Sequence, residues 1–172
     1  NNGKVRNRLR TSEMFIERYK NLLKPGGKLI SVIDETILSS KDYKHVRDYI
    51  KKYFIIHAIV SLHGDAFQMS KARVKTALIY LIKKKNNEEQ KNFFMYPSIY
   101  LGVDDRPITT PPNEIKVARL KAKEEISEIL SNYDNFINNK LTKWQVEYSK
   151  SLDRLDYKSC FNLQGRFKNN WK

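Results

Sequence analysis

The sequence is poor in cysteine and has no long apolar run. Cys160 is the only cysteine among 172 residues, so no disulfide can form within the chain, as is usual for proteins of a reducing cytosol. No apolar run approaches the roughly 20 residues that a membrane-spanning helix needs, and residues 1–8 lack the apolar core of a signal peptide. These absences argue against a disulfide-stapled secreted domain and a membrane protein, and they predict a cytoplasmic location.

Acidic residues are scarce relative to basic ones. The chain has 33 Lys and Arg against 19 Asp and Glu, a formal charge of +14, while 40% of its residues are hydrophobic, too many for a disordered chain. Such an excess points to a polyanionic partner, most commonly nucleic acid. A soluble protein from a lysine- and asparagine-rich proteome would show the same balance, and charge alone leaves both interpretations open. A zinc site is not expected, because His45, His57 and His63 are scattered and one cysteine cannot complete a ligand set with them.

The spacing of apolar residues predicts alternating helices and strands. The first helix ends at Pro25-Gly26-Gly27, since proline disfavours helix in the residue before it and glycine permits a tight turn. The lysines at 83–85 are expected in a solvated loop, and residues 140–172 in an irregular or partly helical tail. The predicted elements are a helix over 11–23, a strand over 28–33, a helix ending near 53 and capped by Ser39, Ser40 or Asp42, strands over 55–62 and 73–83, and an amphipathic helix over 113–138.

The last two predicted strands are joined by residues 63–72, a segment without a helical pattern and too long for a tight hairpin. Because no crossover helix connects them, they are expected to pair antiparallel. The order of elements therefore predicts the end of an α/β sheet protein whose final strand is reversed.

Two segments carry a resemblance to a known family. The first is Leu22-Leu23-Lys24-Pro25-Gly26-Gly27-Lys28-Leu29, which is similar to the turn before the fifth strand of class I S-adenosylmethionine-dependent methyltransferases. The second is Ile59-Val60-Ser61-Leu62-His63-Gly64-Asp65-Ala66-Phe67, followed by Lys71-Ala72-Arg73-Val74-Lys75-Thr76-Ala77-Leu78-Ile79-Tyr80-Leu81. It resembles the closing strands of N6-adenine DNA methyltransferases, especially the modification subunits of type I restriction–modification systems. Gly102-Val103-Asp104-Asp105-Arg106-Pro107 and Leu152-Asp153-Arg154-Leu155-Asp156 resemble later segments of those subunits.

The family's donor-binding glycine motif and its catalytic Asn/Asp-Pro-Pro-aromatic motif do not occur in this sequence. Thr110-Pro111-Pro112-Asn113 is a decoy, because threonine lacks the carboxamide or carboxylate that accepts the adenine amino protons and Asn113 is not aromatic. It also follows Phe67, whereas the family's motif precedes the corresponding loop. We therefore expect both motifs upstream of Asn1 in an intact bacterial parent enzyme, and we expect the fragment alone to be inactive and to bind no cofactor.

The resemblance implies an α/β fold, the C-terminal half of a Rossmann-like class I methyltransferase sheet with a reversed last strand, followed by a helical extension. Residues 1–112 would belong to the catalytic domain, and residues 113–172 would form an extension and tail toward a partner or the DNA-recognition region. The parent would use S-adenosylmethionine to methylate N6 of a flipped adenine in double-stranded DNA, together with DNA-specificity and restriction subunits or domains. Type I and type IIG systems both remain open.

The resemblance also implies a role for Phe67. An enzyme that modifies a base in a duplex must flip it out of the stack, and Phe67 matches the family position that stacks on the flipped base; from spacing alone it would be a core residue at a strand end. Lys71, Arg73 and Lys75 alternate, so on a strand they would share one face that contacts DNA phosphates or, alternatively, lies on a solvated edge.

Two other functions remain as alternatives. A non-enzymatic, basic nucleic-acid-binding module would bind DNA alone in a salt-dependent way. A methyltransferase acting on RNA is the third hypothesis, and the segment around Phe67 argues against it.

Overall fold

The computed structural model describes residues 11–64, 66–67, 74–86, 88–102 and 112–162. These residues form one five-stranded sheet with helices packed against it. The elements are α1 (Thr11–Leu22), β1 (Lys28–Asp34), α2 (Glu35–Ser39), a 3-10 turn (Lys41–Tyr43), α3 (Lys44–Tyr53), β2 (Phe54–Ser61), β3 (Thr76–Lys83), β4 (Phe93–Pro97), α4 (Pro112–Ile137), β5 (Gln145–Val146) and α5 (Tyr157–Asn162).

The reversed strand expected from the sequence is present. β3 lies between β1 and β2 and pairs antiparallel with both, while β2 pairs parallel with β4 and β4 antiparallel with β5, which gives the order β1-β3-β2-β4-β5. The central strands are apolar, and Ala77, Ile79 and Leu81 of β3 are buried. The structure thus has the Rossmann-like α/β sheet and the antiparallel pairing of β2 with β3 that the sequence predicted.

β4 and β5 were not predicted. The run Phe93–Tyr96 is buried throughout, yet four apolar residues after a polar loop give no period from which a strand can be recognised. β5 has only two residues, and the bond from Met95 N to Trp144 O (2.8 Å) supports its pairing with β4. The segment expected to be a tail therefore contributes an edge strand to the sheet.

The helix after β1 begins earlier than the sequence predicted. The carboxylate of Asp34 accepts hydrogen bonds from the amide (2.9 Å) and hydroxyl (2.6 Å) of Thr36, which caps α2. Ser40, one of the caps expected for a longer helix, instead accepts a bond from Asp42 N and starts the 3-10 turn. The helical segment is consequently divided into α2 and α3.

Lys83 and Lys84 at the end of β3 do not form a solvated loop, contrary to the expectation from the sequence. Lys83 Nζ donates to the carbonyls of Lys20 (2.7 Å) and Leu23 (2.5 Å) at the end of α1, and Lys84 Nζ donates to Lys51 O (2.8 Å) near the end of α3. Free carbonyls and the negative end of the helix dipole make a helix C-terminus a favourable place for a cation. Lys83 and Lys84 thus cap two helices, and only Lys85 of the three is exposed.

One face of β1 is not covered by the described part of the chain. Ile30 and Val32, on the edge strand β1, are 66% and 45% exposed. Met14, Phe15 and Leu22 of the neighbouring helix α1 are exposed as well. Ile30 and Val32 lie on the same face of β1, and an exposed apolar strand face is typical of a contact with another part of a protein.

α4 packs on the sheet through an aromatic cluster around His57 of β2. His57 Nδ1 and the hydroxyl of Tyr133 share a hydrogen bond of 3.0 Å, and the rings of Tyr80 and Phe136 lie 4.9 and 5.9 Å from the imidazole ring. Burial, with a smaller contribution from the charge of Lys28, lowers the pKa of His57. The fold therefore favours the neutral imidazole.

This contact makes stability depend on pH. Because the pKa of His57 is lower in the folded chain, its neutral form contributes stability that is present above the unfolded pKa of about 6.5 and is lost as the pH falls below it. We expect the free energy of unfolding in urea to drop between pH 7.5 and pH 5.5, and to drop less in His57→Phe. Equal slopes for His57→Phe and wild type would contradict the expectation.

Candidate functional site

Three parallel strands end at the same edge of the sheet. β1 ends at Asp34, β2 at Ser61 and β4 at Pro97, while the antiparallel β3 begins there at Thr76. In α/β proteins ligands bind outside the carboxyl ends of the parallel strands. This edge, with the loops that leave it, is therefore the candidate site.

Phe67 lies at this edge, on the segment that follows β2. The described residues of this segment, 62–64 and 66–67, are called the Phe67 loop. The loop is tied back to its neighbours by backbone bonds from Leu62 N to Thr76 O (2.9 Å), from His63 N to Leu101 O (3.1 Å) and from Ala66 N to His63 O (3.1 Å). The side chain of Phe67 is 38% exposed, whereas the preceding Ala66 is buried. The loop thus presents an aromatic ring toward solvent from a backbone that is held in place.

Gly102 makes a close contact with this loop. Its φ of +88° is a conformation that L side chains rarely adopt. A Cβ at this position would lie 2.4 Å from the Cβ and 2.6 Å from the Cα of Ala66. Only glycine fits here, and its backbone lies directly against the residue before Phe67.

The segment after β4 is held by Glu125, a buried residue of α4. Its carboxylate accepts hydrogen bonds from Ser98 Oγ and from the amides of Ile99, Tyr100 and Leu101. The same segment is joined to β2 by the bond from Ser98 N to Ser61 O (2.9 Å). α4 therefore determines the conformation of the backbone that contacts the Phe67 loop.

Lys75 lies at the start of β3, on the β1 side of the edge. Its ammonium is 3.1 Å from Glu35 Oε2 and 5.7 Å from the centre of the Tyr157 ring, and about half of its side chain is exposed. The strand begins at Thr76, directly after Lys75. Lys71 and Arg73 lie outside the described residues, so the shared face of the three expected DNA-binding charges stays a prediction.

The structure locates part of the predicted site. Phe67 and Lys75 both lie at the carboxyl edge of the sheet, whereas Lys71 and Arg73 are outside the described residues. The roles of all four in binding DNA stay predictions. Glu125 was missed, because a glutamate within a charged amphipathic helix looks like part of a solvated face. Gly102 was noted only as part of a family-like segment, and nothing in the sequence marks it as requiring positive φ.

No metal centre is apparent in the part of the chain that the structure describes, where no group of three or more His, Cys, Asp or Glu side chains is placed to hold an ion. Burial raises the pKa of Cys160 to about 12, so that its thiol is protonated at neutral pH. Among the described helices, none has the length and apolar character needed to cross a membrane.

The sequence matches the N-6 DNA Methylase family over residues 2–158. The chain therefore belongs to this family. No curated protein matches the sequence significantly.

Solved structures with TM-scores above 0.5 share the fold. A chain from a study of complex assembly and conformational transition in a type I R-M system is 21% identical, with a TM-score of 0.55 over 78% of this chain. A modification subunit of a putative type I restriction enzyme from Vibrio vulnificus YJ016 is 19% identical, with a TM-score of 0.52 over 85% of this chain. A putative class I S-adenosylmethionine-dependent methyltransferase from Listeria monocytogenes is 23% identical, covers 64% of this chain and has a TM-score of 0.43. This chain spans 28%, 30% and 31% of those three chains, respectively.

Proposed function

We propose that this chain is part of a DNA methyltransferase that modifies N6 of adenine in a restriction–modification system. Membership of the N-6 DNA Methylase family supports the reaction class. The fold shared with a modification subunit of a putative type I restriction enzyme supports the kind of system. Because this chain spans less than a third of that protein's length, the activity belongs to a larger enzyme, of which the described residues supply a part.

The part supplied is one wall of the pocket for a flipped adenine, with Phe67 as the stacking face. The observation that carries this proposal is a partly exposed phenylalanine at the carboxyl end of a parallel strand, on a loop whose backbone is held by Leu101 and Gly102. A base outside the duplex loses its stacking partners. An aromatic ring in a fixed place restores about 1–3 kcal/mol of that loss.

The methyl donor is proposed to bind outside the described residues. The one glycine pair, Gly26-Gly27, lies in the turn before β1, at the opposite edge of the sheet from Phe67. Atoms of neighbouring residues lie close to both glycines: a Cβ at Gly27 would be 2.8 Å from Lys24 O, and one at Gly26 would be 3.1 Å from Lys85 Cε. We propose that S-adenosylmethionine and the catalytic motif that accepts the adenine amino protons are held by another region of the parent enzyme.

The same proposal extends to partners. Ile30 and Val32 on one face of β1, and Met14, Phe15 and Leu22 on α1, are exposed apolar side chains that would suit contacts with that donor-binding region. The formal charge of +14 suits double-stranded DNA. DNA-specificity and restriction subunits or domains would contact residues 113–172, the proposed extension of a catalytic portion over 1–112. All of this is expected to take place in the bacterial cytoplasm.

The test is binding of this chain to a DNA duplex that carries one unpaired adenine. Phe67→Ala should weaken that binding about 5- to 150-fold, the equivalent of one stacking interaction, and should leave binding to the fully paired duplex unchanged. The measurement is fluorescence anisotropy with the two duplexes at the same salt concentration, since phosphate contacts depend strongly on salt.

Phe15→Ala is the matched control, because Phe15 is a comparably exposed phenylalanine on helix α1. It should leave both affinities unchanged. Binding that is strong, salt-dependent and indifferent both to the unpaired adenine and to Phe67→Ala would overturn the proposal. That result would favour the basic nucleic-acid-binding module.

A further inference from the structure

Glu125 has an unusual environment for a helix carboxylate. Its side chain is on α4 and is only 6% exposed. Oε2 accepts bonds from Ser98 Oγ (2.6 Å), Tyr100 N (2.9 Å) and Leu101 N (3.2 Å), while Oε1 accepts one from Ile99 N (2.7 Å). Three successive backbone amides and a hydroxyl therefore converge on one buried carboxylate.

Such an arrangement stabilises one backbone conformation. A buried carboxylate is costly unless donors replace the water it has lost. Successive N–H groups that point to one side form an anion-binding concavity, and bonds to an ionised acceptor are stronger than neutral ones. Ser98 Oγ also accepts a bond from Leu101 N at 3.0 Å. The turn over residues 98–101 is therefore organised by a side chain from a helix distant in sequence.

This turn is the backbone that holds the Phe67 loop. Leu101 donates its amide toward Glu125, while its carbonyl accepts the bond from His63 N at 3.1 Å. The next residue, Gly102, lies against Ala66 so closely that a Cβ would overlap it. A displacement of the turn therefore displaces both the hydrogen bond and the contact that precede Phe67.

We propose that Glu125 is a positioning residue for Phe67, acting through Leu101 and Gly102. The inference rests on the proposed function, in which Phe67 stacks on a flipped base. Glu125 touches no base in this scheme. It lowers the freedom of the loop, so that the ring of Phe67 is already in place when the base arrives, and less ordering is required on binding.

Amide hydrogen exchange of this chain tests the coupling. Glu125→Gln keeps the size of the side chain but turns an amide group toward at least one N–H donor. We expect exchange at His63 and Ala66 to become about tenfold faster, as for the loss of a charge-assisted hydrogen bond, while exchange at Ile79 in the centre of β3 stays unchanged. Glu124→Gln, an exposed neighbour on α4, should change none of these rates.

A role confined to stability would give a different pattern. Exchange would then rise at Ile79 together with His63 and Ala66, or only at residues 99–101, and either result overturns the proposal. Ser98→Ala is the second variant: it removes one of the four donors, and it should reproduce the effect at His63 more weakly, whereas no effect there counts against the coupling.

Binding to the duplex with an unpaired adenine separates this inference from the function beneath it. If both hold, Glu125→Gln weakens binding in the presence of Phe67 and has little further effect in Phe67→Ala. If Glu125→Gln alters exchange at His63 but Phe67→Ala leaves binding unchanged, the loop is coupled to Glu125 but Phe67 does not stack. If Glu125→Gln leaves exchange unaltered but Phe67→Ala weakens binding, only the coupling of the loop to Glu125 is refuted, and the stacking role of Phe67 stands.

Discussion

Replacing Arg47 by methionine should lower the free energy of unfolding by about 3–5 kcal/mol, because three backbone carbonyls lose their donor at about 1–3 kcal/mol each. Arg47 is on α3 and is fully buried. Nη1 donates to the carbonyls of Ile37 (2.8 Å) and Ser40 (2.6 Å), and Nε donates to Asp153 O (2.8 Å). Methionine fills much of the space but leaves three acceptors without their donor.

The expected loss of stability depends on the three carbonyls that Arg47 binds. None belongs to a ladder of the sheet; two lie at the end of α2 and the third in the chain segment before α5. A guanidinium is the one side chain with enough donors in a rigid fork to serve all of them. Asp153 Oδ2, 3.6 Å from Nη2, adds the counter-charge.

Equilibrium unfolding in urea measures the change. Lys44→Met is the control, since Lys44 is exposed and also pairs with Asp153 and with Asp48; it should leave the midpoint nearly unchanged because surface ion pairs contribute little. Arg47→Lys, which keeps the charge but not the fork, should fall between wild type and Arg47→Met. An unfolding free energy of Arg47→Met within error of wild type would contradict this account.

Arg47 also explains why the end of the chain was hard to predict. Residues 152–156 resemble a segment leading toward a DNA-recognition region, and the boundary at residue 112 stays a prediction. In the structure the segment is bound to α2 and α3 by the bonds from Arg47 and Lys51 and by that from Leu155 N to Leu38 O (2.9 Å). Contacts between residues about 100 positions apart leave no periodic signal in the sequence.

The strands β1, β2 and β3 were predictable because each is a run of largely β-branched and apolar residues between clear turn signals. The reversal of β3 followed from the absence of a helix between it and β2. Phe67 could be placed at the edge of the sheet by its position after β2, but its backbone supports could not. Glu125 and Gly102 act through tertiary contacts, and the capping role of Lys83 depends on the fold bringing β3 beside α1.

The second large effect is expected at Gly102. Gly102→Ala forces a Cβ to within 2.4 Å of the Ala66 Cβ and places an L residue at φ +88°. Positive φ costs a residue with a side chain about 1–2 kcal/mol, and an overpacked contact typically costs another 1–3 kcal/mol. We therefore expect the free energy of unfolding to fall by about 2–5 kcal/mol. If the chain instead relieves the overlap by moving Ala66, we expect a displaced Phe67 loop.

The same loop provides the control. Gly64 has no atom within 4 Å of the place where its Cβ would be and has no positive φ, so Gly64→Ala should leave stability and binding to the duplex with an unpaired adenine unchanged. Gly102→Asn separates the two causes, because asparagine tolerates positive φ better than alanine but brings the same Cβ. If Gly102→Ala and Gly102→Asn lower the free energy of unfolding equally, the contact with Ala66 is the cause. If Gly102→Asn lowers it much less, the cause is backbone strain. Wild-type stability and binding in both variants would mean that Gly102 does not hold the Phe67 loop. The proposed positioning of Phe67 by Glu125 would then lack the contact between Gly102 and Ala66.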